Sequence, residues 1–211
     1  MRWSVRRSQT QSYVALCVPS ANASNPDVVA VNKGDLYVEA LDGRRHDRQG
    51  FTCGQDSLDD YLKAQATQDI RRKANAVFVL VAIAEPRTVL GYFTLCAYGL
   101  APGVVPEEAR KHLARYPLVS ATLLGRLAVA TSHQGQGFGG ILLVRALRKA
   151  YDNADVVGSS MVVVDAIDEK AAAFYAAYGF IQLPDSTRLV LPMQTVAKLF
   201  APGPGPSTAP R

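Results

Sequence analysis

One segment of the chain combines residue types and spacing suited to holding a phosphate. It reads Leu127-Ala128-Val129-Ala130-Thr131-Ser132-His133-Gln134-Gly135-Gln136-Gly137-Phe138-Gly139-Gly140. An apolar run feeds a loop with glycines at 135, 137, 139 and 140, and an amphipathic run follows. The first backbone N–H groups of a helix have no internal partner and point outward. Glycine lets an anion approach them without a Cβ in the way, and the helix dipole adds attraction. The segment is therefore expected to cradle a phosphate. A Walker loop is excluded: it needs Gly-Lys-Ser/Thr at the helix start, and the residues here are Gly139-Gly140-Ile141. A dinucleotide fingerprint stays open, since Gly135, Gly137 and Gly140 spell GxGxxG and Asp165 ends the next apolar run. Two features count against it: Thr131 to Gln134 intervene between strand and turn, and the rest of the chain offers only one βαβ unit.

The elements that must position this loop follow from periodicity. Asp35 to Ala40 alternates like a strand. Ser57-Leu58-Asp59-Asp60 reads as a helix start with Ser57 as cap, running to about Ala74 with Leu58, Tyr61, Leu62, Ala66 and Ile70 near one face. Ala76 to Ala84 and Val89 to Leu100, around a Pro-containing turn, predict an antiparallel hairpin. Pro106 to Ala114 is a short helix and Ala121 to Ala130 a strand. Gly139 to Tyr151 is a helix with Leu142, Leu143, Ala146, Leu147 and Ala150 inward and Arg145, Arg148 and Lys149 in water. Met161 to Asp165 is a buried strand, Glu169 to Tyr178 a helix, Phe180 to Leu191 one strand or two, and Gln194 to Phe200 a last short helix. This order predicts an α/β fold, a mixed and mostly antiparallel central sheet with helices on both faces.

The 211 residues fit one domain, expected over 35–200. Residues 1–34 read as a flexible extension or a start placed too far upstream, and the Pro/Gly-rich 201–211 as a disordered tail. No run approaches the roughly 18 apolar residues of a membrane span, so a soluble, cytoplasmic protein without membrane contact is expected. The net charge of +5 favours polyanionic ligands such as coenzyme phosphates or RNA. Cys17, Cys53 and Cys96 lack CxxC spacing and read as reduced thiols. His46, His112 and His133 stand apart, so no metal site is expected.

The glycine loop resembles the coenzyme-binding motif of the GNAT acetyltransferases, Gln/Arg-x-x-Gly-x-Gly/Ala, as Gln134-x-x-Gly137-x-Gly139 after a strand ending Leu-Ala-Val. A second block, Ala172-Ala173-Phe174-Tyr175-Ala176-Ala177-Tyr178-Gly179-Phe180, resembles that family's A-x-x-F-Y-x-x-x-G-F. Phe51-x-Cys53-Gly54-x-x-Ser57-Leu58-Asp59-x-Tyr61-Leu62 and Gly91-Tyr92-Phe93-Thr94-Leu95 look like the GNAT toxins of bacterial toxin–antitoxin pairs. The resemblance covers most of Asp35 to Leu199. It implies the GNAT acyl-CoA N-acyltransferase fold and acetyl-CoA as co-substrate. Leu127, Ala128, Val129, Gln134, Gly135, Gln136, Gly137, Gly139 and Gly140 would hold the coenzyme, and Tyr175 would be the acid that releases its thiol. It further implies acetylation of an aminoacyl-tRNA, with glycyl-tRNA as one candidate, a block of translation, a ribbon-helix-helix antitoxin and a homodimer.

Such a substrate suits the residues present. An α-amino group has a pKa of about 7.7 to 8, against about 10.4 for lysine. The electron-withdrawing ester of an aminoacyl-tRNA should lower it further, so such a substrate is substantially neutral at cellular pH without a strong base. Neither motif block contains an obvious Glu or His for that task. A tyrosine of pKa about 10 can protonate a thiolate whose acid has a pKa of about 8.5 within hydrogen-bond reach. For charged tRNA the candidate contacts are Arg71, Arg72 and Lys73, with Arg110, Lys111 and Arg115 as a second group. Two other readings stay open: acetylation of a small amine or a protein N-terminus, and a non-catalytic module that binds acetyl-CoA or a dinucleotide.

Overall fold

Strand β1 (Leu36–Ala40) is the first of seven, followed by β2 (Ala76–Ala82), β3 (Gly91–Leu100), β4 (Val119–Val129), β5 (Met161–Asp165), β6 (Ile181–Gln182) and β7 (Arg188–Pro192). They form one sheet in the order β1-β2-β3-β4-β5-β7-β6. Every neighbouring pair is antiparallel except β4 and β5. The computed structural model describes residues 35–110 and 116–200. The expectations for 1–34, for 201–211 and for Lys111 to Arg115 lie outside the described residues.

Helix α1 (Asp56–Asp60), a π-helical turn (Tyr61–Gln65) and α2 (Ala66–Arg71) precede β2. Helix α3 is Glu107–Arg110, α4 Phe138–Val157, α5 Glu169–Ala177 and α6 Met193–Phe200. Helices α4, α5 and α6 pack on one face of the sheet, over Leu124, Leu127, Val129 and Val164. The α1–α2 unit covers the other face, over Val79, Val81, Tyr92 and Ala128, and the short α3 packs farther along it. The mixed, mostly antiparallel sheet with helices on both faces is the expected architecture. A doubly wound parallel sheet, and with it the dinucleotide reading of the glycines, is not present: the single parallel βαβ unit runs from β4 through α4 to β5.

Local expectations needed three corrections. Ser57 is not the cap of α1; Gln55 is, without a side-chain bond. Asp59 turns back instead, accepting from the Cys53 N–H at 2.8 Å and the Thr52 hydroxyl at 2.9 Å. The single helix expected through this region is interrupted by the π turn, where Ala66 N–H bonds the Tyr61 carbonyl. Arg48 donates to the carbonyls of Leu62 and Lys63 at 3.2 and 3.0 Å and so supports the widened turn. Helix α4 runs six residues beyond Tyr151 and stops at Gly158, which takes the left-handed conformation (φ 68°) that a C-terminal glycine supplies.

A register shift decides which way β4 faces. Phe93 pairs with Leu127 and Thr94 with Arg126, but Leu95 pairs with Leu124, so Gly125 is an extra residue in β4. Side chains alternate faces along a strand. The bulge breaks that alternation: Leu124 and Leu127, three apart, both enter the α4 core. Arg126 consequently lies on the α1–α2 face, with its guanidinium 3.5 Å from the centre of the Tyr61 ring.

Candidate active site

Where β4 passes the bulge it loses its parallel partner. The β4–β5 pairing covers only Ala121–Leu124 against Met161–Val164. Ala130 N–H donates to Leu90 on the β3 side at 2.9 Å, and strand bonds alternate sides, so the peptides of Ala128 and Arg126 also turn to β3. Those of Leu127 and Val129 turn the other way, into the gap that β5 leaves. An extended polar arm can therefore bond β4 there as a strand would. Of the three β4 residues expected to hold the coenzyme, Leu127 and Val129 reach the gap. Ala128 does not, because its peptide belongs to the β3 ladder.

The glycine loop lies at the end of this gap. Thr131–His133 forms a single 3₁₀ turn, and Gly135 and Gly137 take the left-handed conformation at φ 77° and 83°. Gly137 is the N-cap of α4 and supplies no capping side chain. The N–H groups of Phe138, Gly139 and Gly140 thus open a 20-residue helix without an internal partner. A Cβ on Gly140 would collide with the hydroxyl of Tyr178, just after α5, so a side chain at 140 would force that tyrosine's ring tip aside.

Gln134 and Gln136 act as braces for the loop. The Gln134 amide donates to the Cys53 carbonyl at 2.9 Å and the Val129 carbonyl at 3.0 Å, and Gln136 donates to the Ser132 carbonyl at 3.1 Å. Thr131 N–H adds a bond to Thr52 at 2.9 Å. The Phe51–Gly54 segment is thereby held from one side by Asp59 and from the other by the glycine loop.

Tyr175 projects from α5 into the α4-side core, edge-on to Phe174 and Phe180 and fully buried. Its hydroxyl has no hydrogen-bond partner among the described residues. An unpaired hydroxyl in a core costs free energy, on the order of 1–3 kcal/mol, so a partner absent from the free chain is implied. Burial pushes its pKa well above that of free tyrosine, and it keeps its proton. Phe174 and Tyr178 pack at 5.1 Å and Gly179 (φ 87°) turns the chain after α5, which is ordinary packing.

On the opposite face the structure gathers residues that sequence spacing did not connect. Tyr61 donates its hydroxyl to Asp69 at 3.0 Å, and Asn75 donates to the same oxygen at 2.9 Å. Arg126 covers the Tyr61 ring, and Thr94, its β3 neighbour, has a buried hydroxyl without a partner among the described residues. The signal in the sequence was a lone arginine inside an apolar strand pattern. Arg71, Arg72 and Lys73 are exposed at the end of α2, outside this cluster. Among the described residues no group of three His, Cys, Asp or Glu side chains could hold a metal ion, and no helix is long and apolar enough to cross a membrane.

Comparison with known proteins places this geometry. Residues 76–182 match the acetyltransferase (GNAT) domain model. The chain is 31% identical over 155 residues to a tRNA-acetylating toxin of Mycobacterium tuberculosis, covering 73% of this chain and 90% of that protein. Its fold is similar to that of AtaT solved with acetyl-methionyl-tRNA, with a TM-score of 0.73, 31% identity and coverage of 79% of this chain and all of that one. A tyrosine-to-phenylalanine mutant of AtaT, bound to acetyl-CoA and to the C-terminus of the antitoxin AtaR, superimposes with a TM-score of 0.67, at 30% identity over 80% of this chain and 99% of that one. With the split between β4 and β5, the uncapped glycine-rich helix start and a domain match over half its length, the chain belongs to the GNAT acetyltransferase family.

Proposed function

We propose that this chain transfers the acetyl group of acetyl-CoA to the α-amino group of an aminoacyl-tRNA and, as the toxin of a toxin–antitoxin pair, halts translation in the bacterial cytoplasm. The observation that carries the acetyl-CoA part is a set of three features without internal partners: the outward N–H groups of Leu127 and Val129, the first amides of α4, and the Tyr175 hydroxyl. These fit the group in order. The α4 amides, with Gly135, Gly137, Gly139 and Gly140, face its pyrophosphate, and Leu127 and Val129 bond its pantetheine arm. Tyr175 meets the sulfur. Acetyl-CoA supplies the activated acyl group as a thioester.

The residues of the chain then divide the work. An amide of the β4 edge polarises the acyl carbonyl, a fixed dipole in a poorly solvated cleft. As the amine nitrogen bonds the acyl carbon and the C–S bond breaks, Tyr175 would give its O–H proton to the departing sulfur, and the proton shed by the acylated nitrogen would restore the phenol. Burial makes this tyrosine a weaker acid, but it raises the basicity of a thiolate in the same place, so donor and acceptor stay matched. The acceptor amine is neutral in large part near pH 8 and needs no strong base.

The tRNA and antitoxin parts are supported by what the relatives bind and do. A ribbon-helix-helix antitoxin, a homodimer and glycyl-tRNA as acceptor are finer readings that follow the family resemblance. The test is direct. The purified chain with labelled acetyl-CoA and total charged tRNA should yield acetylated aminoacyl-tRNA, and expression in bacteria should arrest growth, relieved by Tyr175→Phe. Labelling of small amines or protein N-termini without labelled tRNA would reject the reading.

A further inference from the structure

The strongest feature outside the acetyl-CoA groove is Arg126. It makes no hydrogen bond or ion pair among the described residues, although it is half-buried in a β-strand. A guanidinium in such a place gains from stacking on an aromatic face but keeps its N–H fork for another partner. The stack is built rather than incidental. The π turn inserts one residue between Tyr61 and Asp69, so these two, eight apart, fall on one helix face to within roughly 20°. Tyr61 is then pinned through its hydroxyl by Asp69, which Asn75 holds in turn. Arg48 braces the π turn from below. The Gly125 bulge completes the arrangement, because without it the parity of β4 would send residue 126 into the α4 core.

We propose that Arg126, laid on Tyr61 and anchored through Asp69, binds a backbone phosphate at the 3′ end of the acceptor RNA and so sets its amine against the β4 edge. The proposal rests on the aminoacyl-tRNA reading and names the residue that would distinguish that substrate from a small amine. Three observations support a phosphate ligand. Arg126 adjoins Leu127, whose peptide faces the acyl site, so an anion held on its guanidinium lies beside the reacting centre on the side that the coenzyme does not use. Asp69 forms no ion pair with it: its Oδ2 is held by Tyr61 and Asn75 instead, which leaves the guanidinium fork open. The exposed Arg71, Arg72 and Lys73 continue positive charge outward from the same helix, giving a backbone a track to follow. Arg126 is the positioning contact and those three the outer ones.

The test compares two acceptors of the full chain at saturating acetyl-CoA: a charged tRNA and the methyl ester of the same amino acid, which has no phosphate. Arg126→Gln should lower kcat/KM for the charged tRNA by about 10- to 100-fold, mainly through KM, and lower the preference for tRNA over ester by a similar factor. The slope of log KM against log salt should shrink by about 0.7, the share of one single-strand phosphate contact. Arg126→Lys should recover part of the preference, and Asp69→Asn, which loosens Tyr61, should lose part of it. Equal losses on both acceptors, or an unchanged tRNA reaction, would overturn the proposal. Titration of a short uncharged RNA ending in CCA separates it from the parent reading. If the wild type acetylates only the ester, the aminoacyl-tRNA function fails; undiminished binding of that RNA by Arg126→Gln then overturns the phosphate contact, and weakened binding sustains it.

Discussion

Gln134 and Cys53, far apart in sequence, are joined by a 2.9 Å hydrogen bond from the glutamine amide to the cysteine carbonyl, and the same amide donates to Val129 at 3.0 Å. One side chain thus ties the glycine loop, the end of β4 and the segment before α1 into a single unit. Gln134→Ala should lower stability by about 1–2 kcal/mol, the worth of two half-buried hydrogen bonds. Gln134→Glu should cost more, since it sets a carboxylate against two carbonyl oxygens. Urea unfolding at unchanged slope measures both.

Tyr175→Phe should separate function from folding. Its hydroxyl is buried and unpartnered in the free chain, so removing it should leave stability unchanged or raise it by up to about 1 kcal/mol. Acetyl transfer should fall by about 10²- to 10⁴-fold, the usual contribution of a positioned proton donor. A melting curve and a single-turnover assay on one preparation read the two effects, and a destabilised variant would return Tyr175 to a packing role.

Gly137→Ala probes the helix start. At φ 83° an alanine is strained by about 1–2 kcal/mol, and its methyl stands beside the first amides of α4. Melting temperature should drop, and the further rise produced by acetyl-CoA should shrink. A full acetyl-CoA shift in this variant would place the phosphates away from this helix.

The pH dependence has a defined sign. Burial raises the pKa values of Tyr92 and Tyr175 above the ordinary value of 10. In the interval above pH 10 the unfolded chain loses these protons and the folded chain keeps them. Their contribution to stability is therefore complete below pH 10 and declines as pH rises above it, by about 1.4 kcal/mol per pH unit for each tyrosine. Stability from these groups should be flat between pH 7 and 9.5 in denaturant titrations. Activity should rise over pH 7 to 9 with the deprotonation of the acceptor amine, since Tyr175 stays protonated throughout.

Much of the architecture was legible because it depends on neighbours in the chain. The period-3.6 pattern of Leu142, Leu143, Ala146, Leu147 and Ala150 marks the buried face of α4, and the uniform apolar run Met161–Val164 marks a strand covered on both sides. The spacing of Gly135, Gly137, Gly139 and Gly140 between strand and helix marks the uncapped start of α4, because left-handed residues and uncapped amides are local properties. The π turn was not legible, since its widened hydrogen bonding is stabilised by Arg48 from a separate loop.

By itself, then, the sequence determined the kind of fold, the place of the glycine-rich helix start and the tyrosine that family resemblance assigns to the thiol. Tertiary structure alone decided that Gln134 is a clamp, that Ala128 is committed to the ladder, and that Arg126 lies with Tyr61, Thr94 and Asp69. The reason is the extra residue at Gly125. A bulge reverses the facing of every later side chain in its strand, and it is defined by pairing between β3 and β4 rather than by any pattern within either one.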